Sequence, residues 1–522
     1  MLNTTKNALR SSLLALCLGG AACGGSSPAP VVPEAPPAAS AKPAPTTPTL
    51  VGGSAAAMPL PTIPADAVEA PVGLMASLIL GNPNHQLTDV GVFLDAAQPG
   101  MGAIVSGQSA LMQLESMVGV MGIGGIDLNN FLAALILDSQ QTVMVAKIAD
   151  EASLRQSMEK VSVPYIIHNG FVAIGDGASL QEVAPYALSN LVTQKKSEIP
   201  LFNLHLANIT QGKKGGELKR ELRSYLGGVI ADQVNMGMKQ VSLMQIGLET
   251  DQMGLKLHVT ADVKPGMLRT LIGKQQPAAY TNVERIGTGP WGILAGGRLD
   301  LTMLSPMLAE LGERSASPLL IQVGTQLGEL VGEIGIAVNF PSKPQVAFAM
   351  DLTNASATAK LVDVVMSYAA KEKNFTMMDM KTKVKLAAIK TSKGKLHELK
   401  FTASKPQQIA TLGKKPVSAY WGVMGNSLVG TFGIDAKKNA RTLSKANGKM
   451  KGKGTNIAEA IALSKSKKES AMVALDIVGL QERRPFKDVK PVVLGVGFTS
   501  EQIHGRADVP MEFIVEMMSL RP

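Results

Sequence analysis

A repeated order of sequence elements most constrains the fold of this chain. Six segments of the first half have counterparts in the second half, in the same order. Alternating apolar segments joined by hairpin signals and followed by amphipathic helices predict an α+β fold with mostly antiparallel sheets. The pairs are Val72–Leu78 with Trp291–Gly297, Thr142–Asp150 with Gln345–Leu352, Tyr165–Ile174 with Ser418–Phe432, the helix at Ser179 with the helix at Asp435, Pro200–Ala207 with Ser470–Ile477, and Val241–Val263 with Val492–Val509.

The repeat predicts two tandem halves that arose by duplication, residues 68–275 and 285–522. We expect each half to be a mostly antiparallel sheet with helices on one face. A folded region of this length is too long for one small core and suits two domains. The pattern leaves open whether the halves form one continuous sheet or two facing domains.

Local signals fix several turns and caps. Asn169-Gly170 and Gly425-Asn426 are expected at tight hairpin turns, because these residues accept positive φ angles. Ser179, followed three residues later by Glu182, predicts a capping box at the start of a helix. Asp435 is expected to cap the corresponding helix, which should run to about residue 446.

The N-terminus has the three parts of a secretory signal. Lys6 and Arg10 precede a short apolar stretch and small residues, and Cys23 follows. We therefore expect a signal peptide over residues 1–22, with ordinary cleavage at an Ala-x-Ala-like site as the alternative. Cys23 in this position resembles the lipobox of bacterial lipoproteins, in which the cysteine is lipidated, although that family prefers Leu where this chain has Gly20.

The lipobox resemblance implies a location. In lipoproteins of this kind Asp after the cysteine signals inner-membrane retention, whereas Gly24 follows here and favours the outer membrane. The expected product is anchored in the cell envelope through lipid at Cys23 and is periplasmic or surface-exposed. Residues 23–67 follow as a disordered tether, with eleven prolines between Pro28 and Pro64. About 40 extended residues would reach roughly 120 Å.

Positive charge is concentrated in the second half of the chain. Residues 371–468 hold 22 Lys and Arg against five Asp and Glu, whereas residues 71–273 hold 14 against 17. A basic surface attracts anions such as lipid headgroups, and nucleic acid is not expected as a partner of an exported protein. The alternatives are a solvated helix and loop or an anionic-surface contact at the cluster Lys437, Lys438, Arg441, Lys445, Lys449, Lys451 and Lys453.

Two stretches are apolar and rich in glycine. Each of Met101–Leu137 and Pro318–Phe340 contains only two charged residues. Helical spacing in the first stretch fits a buried helix followed by a glycine loop, and the alternative is an apolar groove or a lipid contact. The glycines match neither a dinucleotide fingerprint nor a phosphate loop.

A search for catalytic motifs finds no convincing pattern. The six histidines do not have the spacing of zinc ligands, and no nucleophile elbow or calcium loop is present, so we expect no metal and no cofactor. Ser392/Lys395 and Ser464/Lys467 have the Ser-x-x-Lys spacing of penicillin-binding enzymes, but such pairs arise by chance in lysine-rich segments. Aromatic residues, at 4%, are too few for the stacking surfaces of sugar or single-strand binders.

The element order, the Gly175-Asp176-Gly177 turn and the closing strand pair resemble an uncharacterised family of exported bacterial proteins, which are often lipoproteins. The resemblance covers most of residues 70–517 and implies an architecture only, because that family has no established catalytic residues. We expect a non-enzymatic, lipid-anchored envelope protein that binds a protein partner or an apolar or anionic envelope ligand. The alternative is an envelope hydrolase with a dispersed catalytic site.

Overall fold

The computed structural model describes most of the chain after residue 60, together with one short strand before it. The predicted signal peptide, Cys23 and three of the predicted contact lysines (Lys449, Lys451 and Lys453) lie outside the described residues. The described ranges are 49–51, 61–64, 66, 68–161, 163–193, 197–211, 213–226, 228–287, 291–299, 332–339, 345–371, 376–377, 380–403, 405, 412–413, 415–433, 435–445, 456–476 and 489–519.

The chain divides into two compact units, residues 1–255 and 256–522. The division falls within the last strand of the first predicted half. The elements of the first unit are β1 Thr49–Val51, β2 Leu74–Leu80, α1 Pro83–Ala97, α2 Gly107–Val118, β3 Leu132–Leu137, β4 Thr142–Lys147, α3 Glu151–Met158, β5 Tyr165–His168, β6 Phe171–Ile174, α4 Gly177–Tyr186, β7 Leu201–Leu204, α5 Leu206–Gln211, α6 Lys213–Leu226, α7 Gly228–Gln240 and β8 Val241–Asp251.

The strands of the first unit pair in the order β1-β5-β6-β4-β3-β2-β7-β8, and every pair is antiparallel. Central strands β3 and β4 are buried along almost their whole length. One core cluster joins a face of this sheet to α2 and α3, and a second joins the other face to α4 and the π-helical turn after it.

The second unit begins with β9 Gly254–Val263, whose first two residues precede the division. Its other elements are α8 Met267–Lys274, α9 Thr281–Ile286, β10 Ile293–Leu299, β11 Gly332–Asn339, β12 Gln345–Asp351, α10 Ala355–Lys371, β13 Thr376–Met377, β14 Met380–Thr391, β15 Gly394–Thr402, β16 Val417–Met424, β17 Ser427–Gly433, α11 Ala436–Leu443, α12 Asn456–Ser466, β18 Ala471–Leu475, β19 Val492–Phe498, β20 Gln502–Pro510 and α13 Met511–Ser519.

The strands of the second unit pair in the order β9-β20-β19-β18-β10-β11-β12-β17-β16-β15-β14-β13. Helices again lie on both faces of the sheet. Helices α9, α11 and α12 share one core cluster, and α10 packs in another cluster on the opposite face.

The α+β class with antiparallel strands is confirmed. The helices differ from the expectation, since they pack on both faces of each sheet rather than on one. The physical reason is that the central strands are apolar on both faces, and antiparallel sheets so composed must be covered twice.

The two units have the same strand order over seven strands. The order β5-β6-β4-β3-β2-β7-β8 in the first unit corresponds to β16-β17-β12-β11-β10-β18-β19 in the second. This correspondence follows the predicted pairs of segments. Duplication as its origin stays a prediction.

The predicted hairpin turns are confirmed, whereas both predicted caps differ from the structure: Asp435 precedes α11 but its side chain makes no capping hydrogen bond, and Ser179 does not cap α4. Asn169 and Gly170 have φ angles of 49° and 75°, and Gly425 has 62°, as tight turns of this kind require. Helix α4 is capped by Asp176 and not by Ser179. The Asp176 carboxylate accepts hydrogen bonds from the backbone N–H groups of Ala178 and Ser179, each at 3.1 Å.

Part of the predicted tether is a strand. Residues 49–51 form β1, which pairs with β5 at the edge of the first sheet. The sequence Thr-Leu-Val there contains no proline, so each backbone N–H group can donate to the neighbouring strand. Further along, the backbone of Val68 exchanges hydrogen bonds with the Asn190 side chain, which fastens the start of the folded region.

Candidate functional site

A groove in the second unit lies between the first turns of α10 and the turn that joins β14 to β15. Its volume is about 540 Å³, within the range of small-molecule sites. The residues that line it are Ala355, Ser356, Ala359, Val362, Asp363, Lys390, Thr391, Ser392, Lys393, Gly394, Lys395, His397, Val423 and Gly425.

The hairpin turn is tight and its position is fixed by a glycine. Thr391 pairs with Gly394, so only Ser392 and Lys393 form the loop. A Cβ atom at Gly394 would overlap the backbone carbonyl oxygen of Val423 in the adjacent strand. This close approach holds the start of β15 against β16.

An irregularity in β14 brings a backbone N–H group to a buried histidine that lines the groove. The register of β14 and β15 shifts between Lys385 and Ile389, and Ala387 there has a φ angle of 48°. The bulge directs the backbone N–H of Ala387 towards His397, whose Nδ1 accepts it at 3.3 Å. His397 is only 2% exposed, and its Nε2 lies 3.0 Å from Oδ1 of Asp363 on α10.

These contacts define the protonation of the histidine. Since Nδ1 accepts a backbone hydrogen bond, the neutral ring carries its proton on Nε2 and donates it to Asp363. Burial lowers the pKa of His397, and the hydrogen bond with Asp363 opposes that effect. The second carboxylate oxygen of Asp363 binds the ammonium group of Lys395 at 2.8 Å.

The arrangement links elements rather than activating a nucleophile. A histidine base needs one ring nitrogen free to take the proton of a serine or water, and both nitrogens of His397 are occupied. The ammonium group of Lys395 in the Ser392-x-x-Lys395 pair is held by the carboxylate of Asp363. Asp363 thus fastens the hairpin to α10 through two side chains of β15.

The groove combines positive charge with an apolar wall. Lys390, Lys393 and Lys395 are exposed at its rim, and the Asp363 charge is balanced by Lys395. Lys390 and Lys393 form no ion pair with any residue that the structure describes. The wall is aliphatic and consists of Ala355, Ala359, Val362 and Val423. Such a lining suits a ligand with an anionic group beside an apolar portion.

The predicted contact lysines are found elsewhere. Lys437, Lys438 and Arg441 are exposed on α11, and Lys445 is exposed two residues beyond its end. Helix α11 packs on β12, β16 and β17. None of these four residues lines the groove.

The glycine-rich stretch Met101–Leu137 of the first unit contains a packed helix, α2, and a loop whose backbone is hydrogen-bonded to that helix. The carboxylate of Glu115, 3% exposed, accepts hydrogen bonds from the backbone N–H groups of Gly122 at 3.0 Å and Ile123 at 2.8 Å. The packing interpretation thus accounts for the buried face of α2. Met112, Met117 and Met121 are nevertheless exposed on this helix and loop. Of the second stretch, only residues 332–339 are described, and they form β11.

Sequence reasoning missed the groove, although part of its signal was present. The sequence points to Ser392 and Lys395 only through their spacing. The contact between Asp363 and His397 gives no local pattern, because the two residues are 34 apart in the chain. A clearer signal was the alternation of lysines with apolar residues from Lys381 to Lys400, which is typical of a half-exposed hairpin.

Neither a cluster of metal ligands nor a membrane-spanning helix is found among the described residues. No group of three or more His, Cys, Asp or Glu side chains within the described ranges could hold a metal ion. Of the helices that the structure describes, none has both the length and the apolar character to cross a membrane.

The chain matches no protein-family model, no curated protein and no solved structure. The resemblance to exported bacterial proteins, drawn from element order, stays a prediction.

Proposed function

We propose that this chain is a non-enzymatic, lipid-anchored protein of the bacterial cell envelope that binds an anionic amphiphile in the groove of its second unit. The anchor is Cys23, and the outer membrane is the favoured membrane. The proposed ligand carries a phosphate group and an acyl or other apolar portion, as envelope phospholipids do.

One observation carries the proposal. Three lysines from a single hairpin border a groove whose opposite wall is aliphatic, and two of them, Lys390 and Lys393, have no carboxylate partner among the described residues. Cationic side chains beside apolar surface recognise a charged headgroup and its attached chain together. The α11 cluster, by contrast, has the form of a solvated helix face.

The test compares two pairs of lysines. Lys390→Ala with Lys393→Ala removes the unpaired charges of the groove, and Lys437→Ala with Lys438→Ala removes the same charge from α11. Lys395 is left in place because its ion pair holds the hairpin to α10. Binding of phosphatidylglycerol is measured by native mass spectrometry of the chain released from detergent.

At about 1 kcal/mol for each lysine, the groove variant should bind this lipid roughly thirty-fold more weakly than the native chain. The α11 variant should bind it unchanged. Equal binding by all three chains would refute the groove as the ligand site. If the chain instead retains a bound protein, the result would favour a protein partner over a lipid ligand.

The hydrolase alternative predicts a different result in the same native mass spectrometry experiment. Bound lipid would then be converted with time to products of lower mass. Both ring nitrogens of His397 are hydrogen-bonded, so this histidine is not available as a base, and we expect the bound mass to stay constant.

A further inference from the structure

We infer that the exposed face of the β14–β15 hairpin docks on the surface of an anionic phospholipid bilayer. This face is distinct from the groove and from the α11 cluster. The inference rests on the proposed function only in that a membrane anchor keeps the protein near a bilayer.

The first argument is the direction of the side chains. Met380, Thr382 and Val384 of β14 are turned to the α10 side of the sheet, where Met380 and Val384 belong to the core cluster. Successive side chains of a strand point to opposite faces, so Lys381, Lys383 and Lys385 point away from that core. All three are exposed.

The second argument is the register between the strands. Lys383 lies directly opposite Lys400, and Lys381 lies opposite Thr402. Like charges opposite one another destabilise a sheet. Among the residues that the structure describes, Lys381 and Lys383 form no ion pair, so no salt bridge of theirs offsets this repulsion.

The one acidic residue that the structure describes on this face, Glu398, attracts Lys385 and Lys400 and so offsets part of the charge. Glu398 is opposite Lys385, and its carboxylate accepts hydrogen bonds from the hydroxyl groups of Ser418 and Tyr420, each at 2.8 Å. On this face the hairpin carries four lysines, Lys381, Lys383, Lys385 and Lys400, against this single described acidic residue. The face therefore presents a net positive charge on a regular sheet.

The third argument concerns the kind of partner. Alternate residues of a strand are about 7 Å apart, and adjacent strands are about 5 Å apart, so these lysines form a nearly flat array. A bilayer offers a flat array of phosphates and lowers the repulsion between Lys383 and Lys400 without a shaped pocket. Lysines on edge strands also oppose aggregation, but that role needs no like-charged partner on the neighbouring strand.

The experiment uses the full chain with Cys23→Ala, so that attached lipid does not hold it to the vesicles. Vesicles of equal parts phosphatidylcholine and phosphatidylglycerol are sedimented with the chain at low salt. The test variant is Lys381→Gln/Lys383→Gln/Lys400→Gln. The control variant, Lys437→Gln/Lys438→Gln/Lys445→Gln, loses the same charge from α11 and the turn after it. Thermal unfolding of all chains confirms that the exposed substitutions leave the fold intact.

We expect the test variant to bind these vesicles about a hundred-fold more weakly, the control to bind as the Cys23→Ala chain does, and high salt to release both bound chains. Native binding by the test variant, or equal loss in the control, would overturn the inference. Aggregation of the test variant with unchanged vesicle binding would assign the lysines to edge protection and also overturn it. Loss of lipid mass from the Lys390/Lys393 variant is measured separately, so the groove proposal and this one fail independently.

Discussion

The two units share a strand order but differ in what joins one helix to the next hairpin. In the first unit, α3 is followed by β5 after residues 159–164. In the second unit, the equivalent α10 is followed by β16 only after residues 372–416, which contain the β13–β15 extension of the sheet. The added strands thus extend the sheet beyond the shared framework.

The difference places the candidate functions on the added segment. Residues 372–416 contain eleven lysines against three acidic residues, whereas residues 159–164 contain one of each sign. Both the groove and the docking face include this hairpin. The extra segment lies at a helix-to-strand connection, where additional residues leave the shared strand order unchanged, and it carries both proposed binding surfaces.

The largest expected effect tests how the two units fill an equivalent space. Two residues before β7 stands Ile199, and two residues before β18 stands Glu469; each occupies space left by a glycine, Gly247 or Gly495. Glu469 makes a buried ion pair with Arg506 at 2.7 Å. Arg506→Ala should cost about 3–5 kcal/mol because it leaves a buried carboxylate without its partner.

Urea unfolding measures this cost, and hydrogen exchange should accelerate in β18–β20 but not in β3 or β4. Arg269→Ala, which breaks a more exposed pair with Glu501, should cost under about 1 kcal/mol. The double change Glu469→Ile/Arg506→Leu imitates the apolar solution of the first unit and should recover most of the stability. A double variant as unstable as Arg506→Ala would break the comparison.

The next effect separates the buried histidines of the two units. His397 has partners for both ring nitrogens, whereas Nε2 of buried His205 has no hydrogen-bond partner among the described residues. Burial lowers the pKa of His205 to about 4, from about 6.5 in the unfolded chain. Between these values the unfolded chain binds a proton that the folded chain excludes, so stability falls as pH falls.

The loss should approach about 3 kcal/mol near pH 4 and vanish above pH 6.5. Urea midpoints measured across this range for the native chain and for His205→Phe check the prediction. Phenylalanine retains an aromatic ring against Tyr186, which His205 meets edge-on at 6.4 Å. An unchanged pH slope in the variant would show that His205 is not its source.

The smallest effect concerns equivalent helix starts. Asp176 accepts two backbone hydrogen bonds at the start of α4, whereas Asp435 makes no capping bond at the start of α11. Asp176→Ala should therefore cost about 1 kcal/mol, and Asp435→Ala only a few tenths. Chemical unfolding of the two variants gives both values. Equal costs would contradict the difference between the caps.

Sequence reasoning identified the elements better than their surroundings. The Asn169-Gly170 turn follows from local chemistry, and the order of strands follows from alternation and turn spacing. Covering helices on both faces could have been inferred from the unbroken apolar runs of β3 and β4, which do not alternate as half-exposed strands do. The predicted cap at Ser179 is wrong because Asp176 and Ser179 both have side chains that can cap a helix. Sequence alone does not decide at which of the two the helical backbone begins.

The candidate site was harder to predict for a physical reason. Two extra residues in β14 between Lys385 and Ile389 form the bulge whose Ala387 N–H group donates to His397, and the contact of His397 with Asp363 joins residues 34 apart in the chain. No local preference of alanine signals a positive φ angle there. The lysines were visible as composition, but their assignment to one hairpin face requires the register with β15.

Strand β1 bears on the reach of the proposed tether between Cys23 and the folded units. From Cys23 to Thr49 the chain can extend by at most about 80 Å, whereas from Cys23 to Val68 it can extend by about 140 Å. Three residue pairs between β1 and β5 separate these two lengths. Under the proposed anchoring at Cys23, a pull on the anchor would load these three pairs before the core, so β1 would determine how far the folded units stand from the membrane.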